Sequence, residues 1–429
     1  MHLHSPLGLF LAAALGAQTY VVDAAGGGNF TDLPQAIAAV PSGAVLRVRA
    51  GKYSTFVLAH KSLSILGDDP SNIVVVLQTA DLVIGPTGPA DRVLLHNLHC
   101  SVLQLGFANV RIADAAGQVV LDHVKIAAAA TGLPFSDQRL QIERSRNVHL
   151  AQCALPALTT GGSGLGRVEV LDSCLALRDC EIAGNPCSAY QTFPANAGLG
   201  LTNSLAFCTG TRITGGSGAW ATGCGLPTIG PSAGGPAVRL AGGSVLHAVA
   251  CALTGGVGGS GIACRPAGAA GGHGADVSGS TLRVVGSTLA GGLGGTTGGA
   301  HGDPYRLQSG GIVDFASGPA LQASLQGKPV AGLPVTCSLR GRAGDPAVLA
   351  FGYDQVFAPL PPLITTGAFL VVPVLVLGPY TVPASGVLDV PITLPLTWPV
   401  EQWIPFQFFS GPPALTELWA ANSAAVLLR

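Results

Sequence analysis

A short strand pattern recurs seven times along this chain and restricts its fold more than any other feature. Its anchors are Leu98, Ile126, Leu155, Ile182, Ile213, Leu253 and Leu289, spaced by 28, 29, 27, 31, 40 and 36 residues. Five residues before each anchor stands Val93, Leu121, Leu150, Leu177, Cys208, Ala248 or Val284. Two residues after the last four comes Gly184, Gly215, Gly255 or Gly291. Period-2 alternation inside such a frame is a strand signal, and its recurrence at this length marks a stacked β architecture. One copy cannot bury its own apolar face, so each must lie on its neighbours.

At 429 residues the chain is expected to hold more than one domain. Its 10% charged and 48% hydrophobic residues exclude disorder. A net charge near −1 and only four lysines (Lys52, Lys61, Lys125, Lys328) leave no basic patch, which excludes nucleic acid as a partner. Residues 1–17, with the apolar run LGLFLAAALGA at 7–17, read as an export signal of bacterial type, placing the protein outside the cell or on its surface. The second apolar stretch, residues 367–382, is broken by Pro373 and Gly378 and reads as strands, so no transmembrane segment is expected in the mature chain.

Cys153, Cys180 and Cys251 share the place two before an anchor and are expected to stack as small buried side chains. Cys187, Cys224 and Cys264 fall in loops; Cys224 with Cys264, or Cys187 with Cys224, are the disulfide candidates. No C-x-x-C pair occurs, and no metal site or cofactor is expected; calcium has no supporting motif.

Near the start, Thr31 is placed to cap a short helix with Leu33, Ile37 and Val40 on its apolar face. A strand at Val45–Arg49 follows. Gly28, Phe30, Leu33, Ala36, Ile37, Val40, Gly43, Leu46, Val48, Gly51 and Tyr53, in this order, resemble the N-terminal cap and first coil of the pectin-lyase-like right-handed parallel β-helix superfamily. The resemblance implies a right-handed parallel β-helix with an N-terminal capping helix, over residues 18–320. It implies no single activity, because enzymes and non-enzymes of the superfamily open alike. After residue 328 the frame stops, and short strands bordered by proline suggest a small antiparallel β-sandwich to residue 429.

The superfamily's enzymes carry carboxylates with Arg or His on one strand face. Gly272-His273-Gly274 with Asp276 lacks the aspartate pairs that accompany such a tripeptide in polygalacturonases, and His301-Gly302-Asp303 is equally isolated. A better constellation comes from the frame. Asp122 and Arg178 share one place, His123, Gln152 and Asp179 the next, and Lys125 and Glu181 the place before the anchor. Asp122, His123, Arg178, Asp179 and Glu181 are therefore the catalytic candidates, and Lys125, Gln152, Trp220 and Tyr190 the binding candidates. The plainer alternative is a solvated strand face held by weak ion pairs.

Glycine-rich insertions at 184–198, 215–235, 255–274 and 291–311 leave the frame at one place. That regularity argues for packed loops along one side, although composition alone reads as linker. The functional expectation is a polysaccharide-binding or structural monomer that engages a polysaccharide or cell-surface glycan. The alternatives are a pectate-lyase-like or polygalacturonase-like enzyme acting on acidic polysaccharide, and an adhesin-like surface that binds protein.

Overall fold

The computed structural model describes residues 18–429, apart from 69–73, 79, 103–108, 128–138, 158–165, 188–194, 221–229, 262–266, 297, 317, 328, 331, 353, 359–363, 367–368, 373, 395–402, 414–417 and 428–429. Three long parallel sheets dominate it. The first has eleven strands, from Thr19–Val22 to Ile312–Phe315. The second runs from Gly51–Ser54 to Thr288–Ala290 and the third from Val57–Leu58 to Tyr305–Gln308, with nine strands each. From Ala44–Val48 to Tyr305–Gln308 every coil gives one strand to each sheet in turn. This is a right-handed parallel β-helix, the hand that parallel crossovers almost always take.

The core is a column of inward aliphatic residues. Leu121, Leu150, Leu177, Cys208, Ala248 and Val284 lie over one another in the first sheet, as do Ile126, Leu155, Ile182, Ile213, Leu253 and Leu289 in the second. The register corrects the first copy of the frame. Ile126 lies over Cys100, not Leu98, and Leu121 lies over Leu95, not Val93. A slip of two residues keeps the same face inward, so alternation cannot detect it.

Polar ladders finish the turns. Ser145, Ser173, Ser204, Ser244 and Ser280 are buried, and each hydroxyl accepts from the backbone N–H of the coil before it. Cys153, Cys180 and Cys251 are buried at the opposite corner, where Cys153 and Cys251 donate their thiols to backbone carbonyls. Burial pushes the Cys251 thiol up to about 12. Cys187 is buried beside Ala195 and Ala219, while Cys224 and Cys264 lie outside the described residues.

Helix α1 (Leu33–Ala39) closes the N-terminal end with Leu33, Ala36 and Ile37 buried. Its cap is Asp32, one residue after the expected Thr31. The Asp32 carboxylate accepts from the N–H groups of both Leu33 and Ser54 at 2.8 Å, tying the helix start to the second sheet. At the other end, Lys61 Nζ donates to the carbonyls of Ile37 and Val40, both at 2.6 Å.

The glycine-rich segments pack tightly beside the second sheet. One hydrogen-bond relay links their outgoing and returning legs: Gly216 N–H to Asn196 O, Gly235 to Gly216, Gly256 to Gly235, Gly272 to Gly256, Gly292 to Gly272 and Gly302 to Gly292, each 2.8 Å. In Gly255-Gly256-Val257-Gly258-Gly259 the glycines are buried and Val257 is exposed. Leu293 is likewise exposed beside buried Gly292. A three-residue repeat of exposure is that of an extended chain with three residues per turn. A Cβ on Gly256 would overlap the carbonyl oxygen of Gly216, and one on Gly272 that of Gly235. Only glycine lets the legs approach this closely.

The C-terminal region is sandwich-like and antiparallel apart from one strand. Gln322–Gln326, Pro334–Arg340 and Val387–Thr393 form one sheet. Ile364–Thr366, Leu418–Leu427, Trp403–Ser410, Pro346–Phe351 and Leu375–Thr381 form another, in which Ile364–Thr366 pairs in parallel. Leu339, Leu349, Phe406, Phe408 and Trp419 fill the core between them. Strands Asp354–Ala358 and Leu418–Leu427 rest against Cys174–Arg178 of the first sheet. Among the described residues no helix is long and apolar enough to cross a membrane.

Candidate functional site

Two polar features stand on the outer face of the first sheet. The first grows from the end of strand Gln118–Asp122. Asp122 is paired in register with His96 of the preceding coil and with Ala151 of the next, which in turn faces Arg178. Alternation points the Asp122 side chain outward, yet it is buried. Two imidazoles bury it. His96 Nδ1 lies 2.7 Å and His123 Nδ1 3.0 Å from Asp122 Oδ2, and the rings meet edge to face with centroids 5.4 Å apart.

His123 reaches back because its backbone is left-handed (φ 53°), a conformation shared by Gln152 and Asp179 at the same corner. Burial alone would raise the Asp122 carboxyl, but the hydrogen bonds from His123 and His96 outweigh it and hold the group down at about 2. Its second oxygen, Oδ1, is buried and makes no hydrogen bond. The three donor atoms lie within 4.8 Å of one another, a set able to bind a proton or a metal ion.

The remaining candidates fall into smaller groupings. Arg178 Nη1 is 3.6 Å from Asp179 Oδ2, and the Asp179 carboxyl is raised by burial against the opposing pull of Arg178. Glu181 and Lys125 are exposed and lie two coils apart, with Ala154 between them and Arg212 beyond Glu181. Gln152 is exposed at the corner. Trp220 is 71% exposed in a glycine-rich segment. Tyr190 lies outside the described residues. Asp122 and Arg178 thus share a column but bind different partners. His96 escapes the sequence reading because the two-residue slip of the first copy removes it from the Asp122 column.

The second feature is a groove of about 780 Å³ that crosses successive coils at the entry edge of the same sheet. Arg146, Asp172, Asn203, His247, Thr281 and Arg283 line it. Asn203 Nδ2 donates to Asp172 Oδ1 at 2.5 Å, fixing both at left-handed corners. Arg283 lies 3.5 Å from Asp314. The His247 ring packs against Phe207 with centroids 6.2 Å apart, and burial, reinforced by Arg283, lowers its pKa to about 4, so it is neutral at pH 7. The groove offers two guanidinium groups, an amide, hydroxyls and a neutral imidazole on a rigid floor.

No known protein family and no curated protein matches the chain. Among solved structures it is similar to the A-module of the mannuronan C-5 epimerase AlgE4 of Azotobacter vinelandii, at 11% identity and a TM-score of 0.25, over 66% of this chain and 94% of that one. By architecture the chain is a right-handed parallel β-helix, as its three parallel ladders and helical cap show.

Proposed function

We propose that the protein is an exported, glycan-binding β-helix that holds a short run of an acidic polysaccharide in the groove lined by Arg146 and Arg283. The groove across consecutive coils carries this reading. Its floor advances by about 4.8 Å per coil, which gives a linear ligand a repeating set of donors and acceptors. Arg146 and Arg283 lie on different coils of the groove and suit carboxylates spaced along a uronate chain. Asp172, Asn203 and Thr281 between them suit sugar hydroxyls. The apolar run at 7–17 supports export. A rigid scaffold with preset side chains also lowers the ordering cost of binding.

Calorimetric titration with oligogalacturonate and oligomannuronate, against a neutral xylo-oligosaccharide, tests the reading. The acidic oligomers bind, and affinity falls with added salt. The double substitution Arg146→Ala/Arg283→Ala weakens binding at least about tenfold. Absence of binding to any acidic oligomer, or unchanged affinity in the double variant, refutes it.

A further inference from the structure

The cluster of His96, Asp122 and His123 lies at the exit edge of the first sheet, and the groove crosses its entry edge. We infer that these three side chains form a binding site for one first-row divalent ion, with zinc the ion their chemistry suits best. The inference does not rest on the glycan reading.

Three observations converge on it. First, the donor set is two imidazole nitrogens and one carboxylate oxygen, all within 4.8 Å of one another. Imidazole with a single carboxylate suits zinc and its neighbours in the first transition row, whereas calcium and magnesium take oxygen almost exclusively. Second, Asp122 is buried, and its Oδ1 makes no hydrogen bond. A buried carboxylate oxygen left unpaired is costly, and a cation bound at the carboxylate offsets that cost. Third, the fold builds the site rigidly on two sides. His96 and Asp122 are register partners in adjacent parallel strands, and His123 is turned over them by its left-handed backbone.

The geometry needs little adjustment. Donor atoms around a tetrahedral zinc ion stand roughly 3.4 Å apart, given metal–nitrogen distances of about 2.1 Å. Here the nitrogen–oxygen distances are 2.7 and 3.0 Å. Opening them by less than an ångström is within reach of His123, whose side chain is 47% exposed and free to swing outward. On binding, each Nδ1 gives up its hydrogen bond to Asp122 and offers its lone pair to the metal. A neutral imidazole then carries its proton on Nε2, and an imidazolium releases one proton to solvent. Three protein ligands leave a fourth position facing water, on the His123 side.

Zinc chloride alone is the probe. The full chain is stripped with EDTA, titrated by calorimetry, and its metal content read by atomic emission after dialysis. One zinc per chain is expected, with affinity reduced at least about tenfold in His123→Ala and further in His96→Gln/His123→Ala. Cobalt(II) loaded in place of zinc should show ligand-field bands that disappear in the same variants. His273→Ala/His301→Ala, in the glycine-rich segments, should bind as the parent does. His123 is a surface residue, so its variant remains informative if Asp122→Asn fails to fold. Zinc absent from the parent, retained unchanged in both cluster variants, or lost in His273→Ala/His301→Ala overturns the site.

Discussion

The coil stack and the glycine slab beside it solve the same packing problem in opposite ways. In the stack, parallel strands stand about 4.8 Å apart and inward Leu, Ile and Val fill the space between three sheets. In the slab the backbones themselves touch, and the interior is made of carbonyls, N–H groups and glycine Cα atoms. The stack gains its stability from aliphatic burial, at about 25 cal/mol per Å². The slab has almost no side chains to bury. It relies on satisfied backbone hydrogen bonds and close van der Waals contact, against the larger entropy that glycine loses on ordering. Side-chain volume is thus needed inside the stack and forbidden between the glycine legs.

Substitutions can separate the two modes. The largest effect is expected from Gly272→Val, whose side chain would overlap the Gly235 carbonyl and displace legs from neighbouring coils. A loss above about 4 kcal/mol is expected, in the range reserved for gross steric conflict. Equilibrium denaturation measures it, and a value within error of the parent would mean that the slab is not close-packed. Leu253→Ala tests the stack. It empties a fully buried site and should cost about 2–5 kcal/mol, with the slab's amide protection unchanged if the two regions pack independently.

The third expectation is a pH dependence confined to the stack. Burial lowers His149 to about 3 and His247 to about 4, from an ordinary value of 6.5. Both are neutral in the folded chain where the unfolded chain takes up a proton. Their contribution is complete above pH 6.5 and is lost as pH falls toward 4, where the unfolded state binds more protons. Each adds a slope of up to about 1.4 kcal/mol per pH unit in that window. Half-buried His247 should contribute less than the limit because solvent screens it. His149→Gln should flatten the fall in denaturation midpoint below pH 6.5. An unchanged pH profile in that variant would show that His149 is not the buried base.

Much of the architecture was legible because it depends on local chemistry repeated many times. Six of the seven anchors stack as their spacing required, since alternation within a fixed frame leaves each strand one inward face. The first copy slipped by two because both registers bury the same face, and the correct one is chosen by hydrogen-bonded neighbours. The columns joining Asp122 to Arg178 and Lys125 to Glu181 were readable for the same reason as the anchors. Their partners were not. Arg178 turned to Asp179, and Asp122 became enclosed by His96 and His123, because rotamer and corner geometry decide which side chains meet. The Gly-Gly-x repeat at 255–260 and 291–296 held a period-3 signal that composition alone obscured.

By itself the sequence determined that this chain winds into stacked β-coils behind a helical cap, with a separate strand-rich region at its end. Those outcomes follow from where apolar, turn and capping residues recur, and recurrence is a property of the chain alone. Tertiary structure decided the rest. It chose Asp32 over Thr31 as the cap, placed His96 beside Asp122 across 26 residues, joined Arg146 to Arg283 along one groove, and brought glycine backbones from separate coils into contact. Each of these depends on which groups from distant segments come within bonding distance, and that is settled only when the coils stack.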